Sequence, residues 1–141
     1  MSTTELSGPA LQEAQSQIKD LIGRYAMAAD RRDAEALTAL WHSDASYVAG
    51  GETHVGVEAV IAAATQPWSG PGRSWHFPAN TVIEFSSSTA ATSISAVAAI
   101  ATDVEGEPMY FLGFYSDAFE QRDGEWRFSR REVDILHAGK A

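Results

Sequence analysis

Cysteine is absent from this 141-residue chain, and basic residues are few, with 10 Lys and Arg against 19 Asp and Glu and a formal net charge of −9. Without cysteine there is no disulfide, no thiolate metal site and no cysteine nucleophile. The excess of acidic residues argues against a nucleic acid as partner, because its phosphates would be repelled. It also argues against docking on an anionic membrane. We therefore expect neither nucleic acid nor a membrane as a partner.

Several functional motifs are also missing. The chain contains no GxGxxG or GxxxxGK[ST] phosphate loop and no GxSxG nucleophile elbow, which argues against nucleotide-dependent enzymes and serine hydrolases. The four histidines (42, 54, 76 and 137) have no metal-binding spacing, so we expect no metal. No apolar run reaches the ~20 residues of a spanning helix, and residues 1–10 lack the features of a signal peptide. A cytoplasmic location is therefore expected.

The length indicates one domain, and the hydrophobic content of 45% is typical of a globular protein. We expect a flexible tail over residues 1–10, a single domain over 11–137 and a C-terminal tail over 138–141.

The first half of the domain shows helical patterns. Apolar residues at three- and four-residue steps predict a helix that starts near Leu11 and ends near Asp30. Asp33 can cap a short second helix that runs to about Trp41. A break at 42–44, a short strand at 45–49, a Gly50-Gly51 turn, a third helix at 57–65 and a loop at 66–73 are then expected.

The second half is rich in β-branched and aromatic residues. Turn signals, including Asp123-Gly124, divide it into four long strands over 75–85, 89–102, 108–122 and 125–136. Helices followed by such a meander predict an α+β fold with the helices on one face of the sheet.

Alanine is frequent, with 24 residues in the chain. Many lie in the strand at 89–102 and in the third helix, where small side chains would leave room for a pocket between sheet and helices. Close packing of alanine against helix backbones is the equally open alternative.

Strand alternation places His76, Pro78 and Asn80 on one face of their strand, as in a pocket wall. The alternative is a histidine at a strand end that meets solvent. Asp30 lies about 120° from the apolar stripe of its helix, which predicts exposure, although a carboxylate is mildly unfavourable at a helix C-terminus. In the last strand, strict alternation turns Arg130 toward the face of Trp126 and Phe128, whereas a bulge turns Arg131 there.

Six segments in order resemble the SnoaL-like branch of the nuclear transport factor 2-like superfamily, which contains scytalone dehydratase, bile-acid 7α-dehydratase and hexachlorocyclohexane dehydrochlorinase. They lie at 18–33, 40–45, 56–60, 76–80, 113–117 and 122–131. The resemblance implies a conical barrel, in which a curved, mostly antiparallel sheet wraps around three N-terminal helices.

The same resemblance implies an Asp–His dyad in a conical pocket, which falls on Asp30 and His76, and it places Asp30 inside the cone. Tyr25 and Arg131 match two further catalytic positions. The implied activity is that of a cofactor-independent lyase or isomerase in which His76 removes a proton from carbon and Asp30 orients it.

A small, hydrophobic, ring-bearing molecule is the expected substrate, in a pocket with both polar and aromatic contacts. The expected substrate-binding residues are Asn80, Trp41, Tyr47, Trp68, Phe111 and Tyr115. No cofactor is expected, and the fold implies a homo-oligomer, either a trimer or a dimer.

Two other functions remain open for the same scaffold. One is a non-catalytic small-molecule binder or assembly subunit, and the other is a polyketide cyclase or epoxide hydrolase. The chain also lacks the first-helix lysine of the dehydrochlorinase and the second histidine of scytalone dehydratase.

Overall fold

The computed structural model describes residues 5–141 and contains three α-helices, a short 3-10 helix and six β-strands. The elements in chain order are α1 (Gly8–Arg31), α2 (Ala34–Thr38), β1 (Trp41–Ala49), β2 (Glu52–Val55), α3 (Val57–Thr65), the 3-10 helix (Gln66–Ser69), β3 (Ser74–Ser87), β4 (Ala90–Thr102), β5 (Pro108–Arg122) and β6 (Glu125–Lys140).

Helix α1 forms where the apolar stripe predicts it, and the stripe from Ala14 to Tyr25 is buried. The helix ends because Arg32 adopts a left-handed conformation, with φ of 55°. Its backbone N–H donates a hydrogen bond to a carbonyl oxygen of the last turn. Asp33 then caps α2, since its carboxylate accepts the N–H of Ala36 at 3.0 Å. This tight corner places the C-terminal end of α1 near the sheet.

The sheet has the strand order β2-β1-β6-β5-β4-β3, and it is curved and open. All neighbouring strands are antiparallel except β1 and β6, which are parallel. Two-residue turns at Gly50-Gly51 and Asp123-Gly124 have positive φ at both positions, as hairpins of this length require. These findings confirm the predicted turns and the predicted α+β fold.

The core lies between α1 and the concave face of the sheet. Ile18 and Leu37 come from the helices, whereas Trp41, Phe119 and Phe128 come from β1, β5 and β6. The rings of Trp41 and Phe128 stack with centroids 5.0 Å apart. This packing holds the sheet against one side of α1 and closes only part of the concave face.

Some predicted boundaries were wrong. Helix α2 ends at Thr38, and the expected break at 42–44 belongs to β1, because Trp41 pairs with Phe128 of β6. Residues 8–10 are helical and 138–140 extend β6, so neither stretch is a tail. Residues 1–4 of the predicted tail lie outside the described residues.

Within residues 5–141, no helix is both long and apolar enough to cross a membrane.

Candidate active site

A cavity of about 290 Å³ lies between the C-terminal half of α1, residues 64–74 and the concave face of the sheet. Its aromatic wall includes Trp68 and Phe111, both predicted to contact substrate. Small side chains leave the space open, among them Ala64 of α3 and Ala99 and Ala101 of β4. The alanine pattern therefore does contribute to a pocket, although Ala91 of the same strand is simply core.

Asp30 and His76 meet at the edge of this cavity. Asp30 lies in the last turn of α1 and His76 near the start of β3, and Nδ1 of His76 lies 2.6 Å from Oδ1 of Asp30. Their side chains are 18% and 23% exposed. The helical wheel alone predicted exposure of Asp30, which was wrong because β3 runs alongside the end of α1 and covers the carboxylate.

Three donors converge on the Asp30 carboxylate. Besides Nδ1 of His76, the hydroxyl of Ser74 donates to Oδ1 at 3.1 Å, and the backbone N–H of His76 donates to Oδ2 at 2.9 Å. These bonds offset the unfavourable position of a carboxylate at the negative end of a helix. They also fix the carboxylate relative to β3.

The contact with Asp30 determines which nitrogen of His76 is available. An ionised carboxylate only accepts hydrogen bonds, so Nδ1 carries the proton and Nε2 carries the lone pair. His76 lines the cavity, and its Nε2 has no hydrogen-bond partner among residues 5–141. The arrangement therefore suits proton abstraction from a bound molecule.

Three tyrosines, Tyr25, Tyr47 and Tyr115, also line the cavity. Burial raises the pKa of all three phenols, that of Tyr25 well above its usual value and that of Tyr115 to about 12. At neutral pH these hydroxyls are protonated and can donate to an oxygen or a halide.

Arg131 lies behind the tyrosines and has no exposed surface. Its Nε and Nη2 donate to the two oxygens of Asp117 at 2.8 and 2.9 Å, and its guanidinium carbon lies 3.7 Å from the ring centre of Tyr115. Burial alone would lower the Arg131 pKa, but Asp117 outweighs it and raises that pKa. The arginine thus supports the tyrosine wall and does not line the cavity.

A bulge explains why Arg131 and not Arg130 is buried. Ala118 pairs with Arg130 and Phe119 with Phe128, so Ser129 is an extra residue in β6. Arg130 is consequently on the outside, where it donates to Glu132. The bulge alternative was the right one.

Two of the residues predicted to contact substrate do not line the cavity. Asn80 has φ of 55° in a bulge of β3, which turns its side chain away from the face of His76 and leaves it exposed. Trp41 is 2% exposed and packs in the core against Phe128, behind the lining residues Tyr25 and Tyr47. The remaining predicted contacts, Tyr47, Trp68, Phe111 and Tyr115, all line the cavity.

Three residues at the site were not predicted from the sequence, namely Ser74, Arg32 and Arg73. Ser74 lies two residues before His76, so the strand alternation that singled out His76 also points to it. The two arginines had no such signal, because they come from the corner after α1 and from the segment before β3.

Arg32 ties the segment before β3 to the end of α1. Its guanidinium donates to the carbonyl oxygens of Trp68 and Gly70 at 2.9 and 3.0 Å, and also to that of Gly72. The segment carries Trp68 and Arg73, both of which line the cavity. Arg32 therefore holds one wall of the site in place.

Known proteins share this fold and sequence pattern. The chain is 29% identical over 123 residues to a gamma-hexachlorocyclohexane dehydrochlorinase from Sphingobium indicum, which covers 85% of this chain and 79% of that protein. The crystal structure of LinA superposes with a TM-score of 0.87 at 26% identity, over 94% of this chain and 92% of LinA.

A third similarity is to a candidate scytalone dehydratase from Novosphingobium aromaticivorans, with a TM-score of 0.86 and 25% identity over 94% of this chain and 90% of the other. The family model of the SnoaL-like domain matches residues 11–132, which is most of the chain. The chain therefore belongs to the SnoaL-like domain family, within the nuclear transport factor 2-like superfamily.

Proposed function

We propose that this protein is a cofactor-independent lyase that removes a proton and a leaving group from adjacent carbons of a small apolar substrate. The observation that carries the proposal is the 2.6 Å contact between Asp30 and His76 beside the cavity. Relatives named as dehydrochlorinases support the reaction class.

In the proposed reaction, Nε2 of His76 takes the proton from carbon. The C–H electron pair becomes the π bond of the product, and the bond to the leaving group breaks with its electrons. Asp30 keeps the proton on Nδ1 and stabilises the imidazolium that forms. Release of that proton to solvent restores the base.

The leaving group needs stabilisation as negative charge develops on it. A phenol from Tyr25, Tyr47 or Tyr115 donates a hydrogen bond to a departing hydroxide or halide, or to a carbonyl that activates the C–H bond. Arg131 acts indirectly, because its charge lies against the rings of Tyr25 and Tyr115 and not in the cavity. It is therefore a positioning residue in this scheme.

The test is a screen of halogenated and hydroxy-carbonyl ring compounds for elimination products by gas chromatography and mass spectrometry. On a compound that is turned over, Asp30→Asn and His76→Ala should each lower kcat/KM at least about 100-fold, the scale of general base catalysis. Circular dichroism checks that both variants are folded.

Asp20→Asn is the matched control, since Asp20 is an exposed carboxylate on the same helix. Among residues 5–141 its side chain has a hydrogen bond with Arg24 and with no other residue. Its rate should equal that of the parent. Near-parental rates for His76→Ala would contradict the proposal. Ligand binding by the parent without turnover of any compound would favour the non-catalytic binder instead.

A further inference from the structure

The charges around the cavity differ from those of the whole chain. The protein carries 19 acidic residues and only 10 Lys and Arg. Yet among the described residues that line the cavity there is no Asp or Glu, whereas Arg32 and Arg73 are both present. The Asp30 carboxylate lies behind His76, where three donors already occupy it. The formal charge that faces a ligand in the cavity is therefore positive, although the net charge of the protein is negative.

The two arginines are not equivalent. Arg32 is half-buried and donates to three backbone carbonyls, so its guanidinium has a structural task. Arg73 is exposed at the rim, and its single side-chain hydrogen bond to the described part of the chain is a long one of 3.5 Å from Nη2 to the backbone carbonyl of Asp30. Its Nε and Nη1 have no hydrogen-bond partner within residues 5–141.

The backbone of Arg73 is nevertheless well fixed. Its N–H donates to Oγ1 of Thr102 at 2.8 Å, and its carbonyl accepts the N–H of Thr102 at 2.9 Å. This pair of bonds anchors the residue to the end of β4, next to the dyad. The guanidinium is thus attached to a fixed backbone position and has unused donors at the cavity mouth.

We propose that Arg73 binds an anionic group of the substrate, so that the enzyme acts on a ring-bearing carboxylate whose apolar body fills the cavity and whose charge stays at the rim. This inference rests on the proposed function and specifies its substrate class. A guanidinium matches a carboxylate through two parallel N–H donors. Phe111, Trp68 and the alanines of β4 supply the apolar surface for the ring.

The test measures binding and does not depend on turnover. Isothermal titration calorimetry compares 2-naphthoate with 2-naphthamide, which has nearly the same shape and no charge. The parent should bind the carboxylate about tenfold more tightly, the lower end of what a hydrogen bond to a charged group contributes. The preference should fall as salt is raised, because Arg73 is exposed.

Arg73→Gln should reduce the ratio of the two dissociation constants to about one while the amide still binds, and Arg73→Lys should restore part of it. Arg127→Gln is the matched control, because it changes the net charge equally at an exposed site paired with Glu125. Its ratio should stay at the parental value.

Equal binding of both probes by the parent, absence of binding by both, or an unchanged ratio in Arg73→Gln would each overturn the inference. Repeating the titrations in His76→Ala separates the two proposals. A retained carboxylate preference there supports the role of Arg73 even if the dyad has no catalytic role. Conversely, elimination from uncharged compounds only would leave the dyad intact and refute the anionic substrate.

Discussion

Asp30 occupies a place on α1 where a carboxylate is usually unfavourable, since the last turn of a helix carries partial negative charge. The cost is offset by Ser74 and by two groups of His76, which together make three hydrogen bonds to the carboxylate. Removing one donor would leave the others in place, but removing the charge would free Nδ1 of His76. At the scale of single residues, the site depends on this carboxylate more than on any one donor.

Tyr115 makes a residue-scale prediction about alkaline pH. Burial raises its pKa from 10 to about 12, so the folded state keeps the proton more tightly than the unfolded state. The resulting stability is fully present below pH 10 and is lost as pH rises through 12, because the folded state then binds more protons than the unfolded state. Across this pH range the free energy of unfolding should fall by roughly 2 to 3 kcal/mol because of Tyr115, at 1.36 kcal/mol per pKa unit.

Urea unfolding of the parent and of Tyr115→Phe at pH 9 and at pH 11.5 measures this contribution. The phenylalanine variant keeps the ring against Arg131 and removes the ionisable hydroxyl. It should lose less free energy of unfolding between the two pH values than the parent does. An equal loss in both proteins would show that the Tyr115 phenol titrates alike in the folded and unfolded states.

Irregularities in the strands decide which side chains enter the cavity. The bulge in β3 turns Asn80 outward, and Ser129 as an extra residue in β6 turns Arg131 inward. A third irregularity lies between β5 and β6, where Gly113 pairs with Ile135 and Leu112 with His137, so Leu136 is the extra residue. Each bulge shifts the inward–outward alternation by one residue, so every side chain after it lies on the opposite face from the one that strict alternation predicts.

Gly113 gives the prediction at the scale of elements. A Cβ placed there would lie 1.9 Å from the backbone carbonyl oxygen of Asp134, which cannot move without separating β6 from β5. We expect Gly113→Ala to lower the free energy of unfolding by about 1 to 3 kcal/mol, or to prevent folding. Urea unfolding and soluble yield measure the effect.

Gly23→Ala is the matched control for this substitution. Gly23 is exposed in the interior of α1, and a Cβ there would have no heavy atom within 4 Å. Alanine should stabilise the helix by up to about 1 kcal/mol. Equal stability of Gly113→Ala and the parent would show that β5 and β6 can separate at this point without a loss of free energy of unfolding.

At the scale of the whole molecule, a large apolar area is exposed on the side of the sheet that faces away from the helices. This outer face consists of Trp75, Phe77, Val82, Ile94, Leu112 and Phe114, and Phe77 is 56% exposed. Exposed apolar patches of this kind usually mark protein–protein contacts. We propose that a second copy of the chain covers the outer face, as expected for a homo-oligomer.

Analytical ultracentrifugation tests this proposal. The parent should sediment as a dimer or trimer of the 15.2 kDa chain, and Phe77→Glu combined with Phe114→Glu should sediment as the monomer. Val104→Glu is the control, because Val104 is 78% exposed and lies in the turn after β4 rather than on the outer face. A monomeric parent would refute the proposal.

Much of the fold could be predicted because its signals are local. The Gly50-Gly51 and Asp123-Gly124 turns need positive φ at both positions, which these residues accommodate. The candidate site was predictable only in part. His76 follows from strand alternation, whereas Asp30 was placed inside by resemblance to a family, and Arg32 and Arg73 were not found at all. The catalytic roles of these residues stay predictions.

The sequence by itself determined the class of fold, the helical stripe of α1 and the four long strands, since each depends on residues near one another in the chain. Only the tertiary structure decided that Asp30 meets a histidine 46 positions later, that Trp41 belongs to the core and that Asn80 faces outward. The physical reason is that strand register and bulges are fixed by pairing between distant segments. A local period carries no information about where such pairing shifts by one residue.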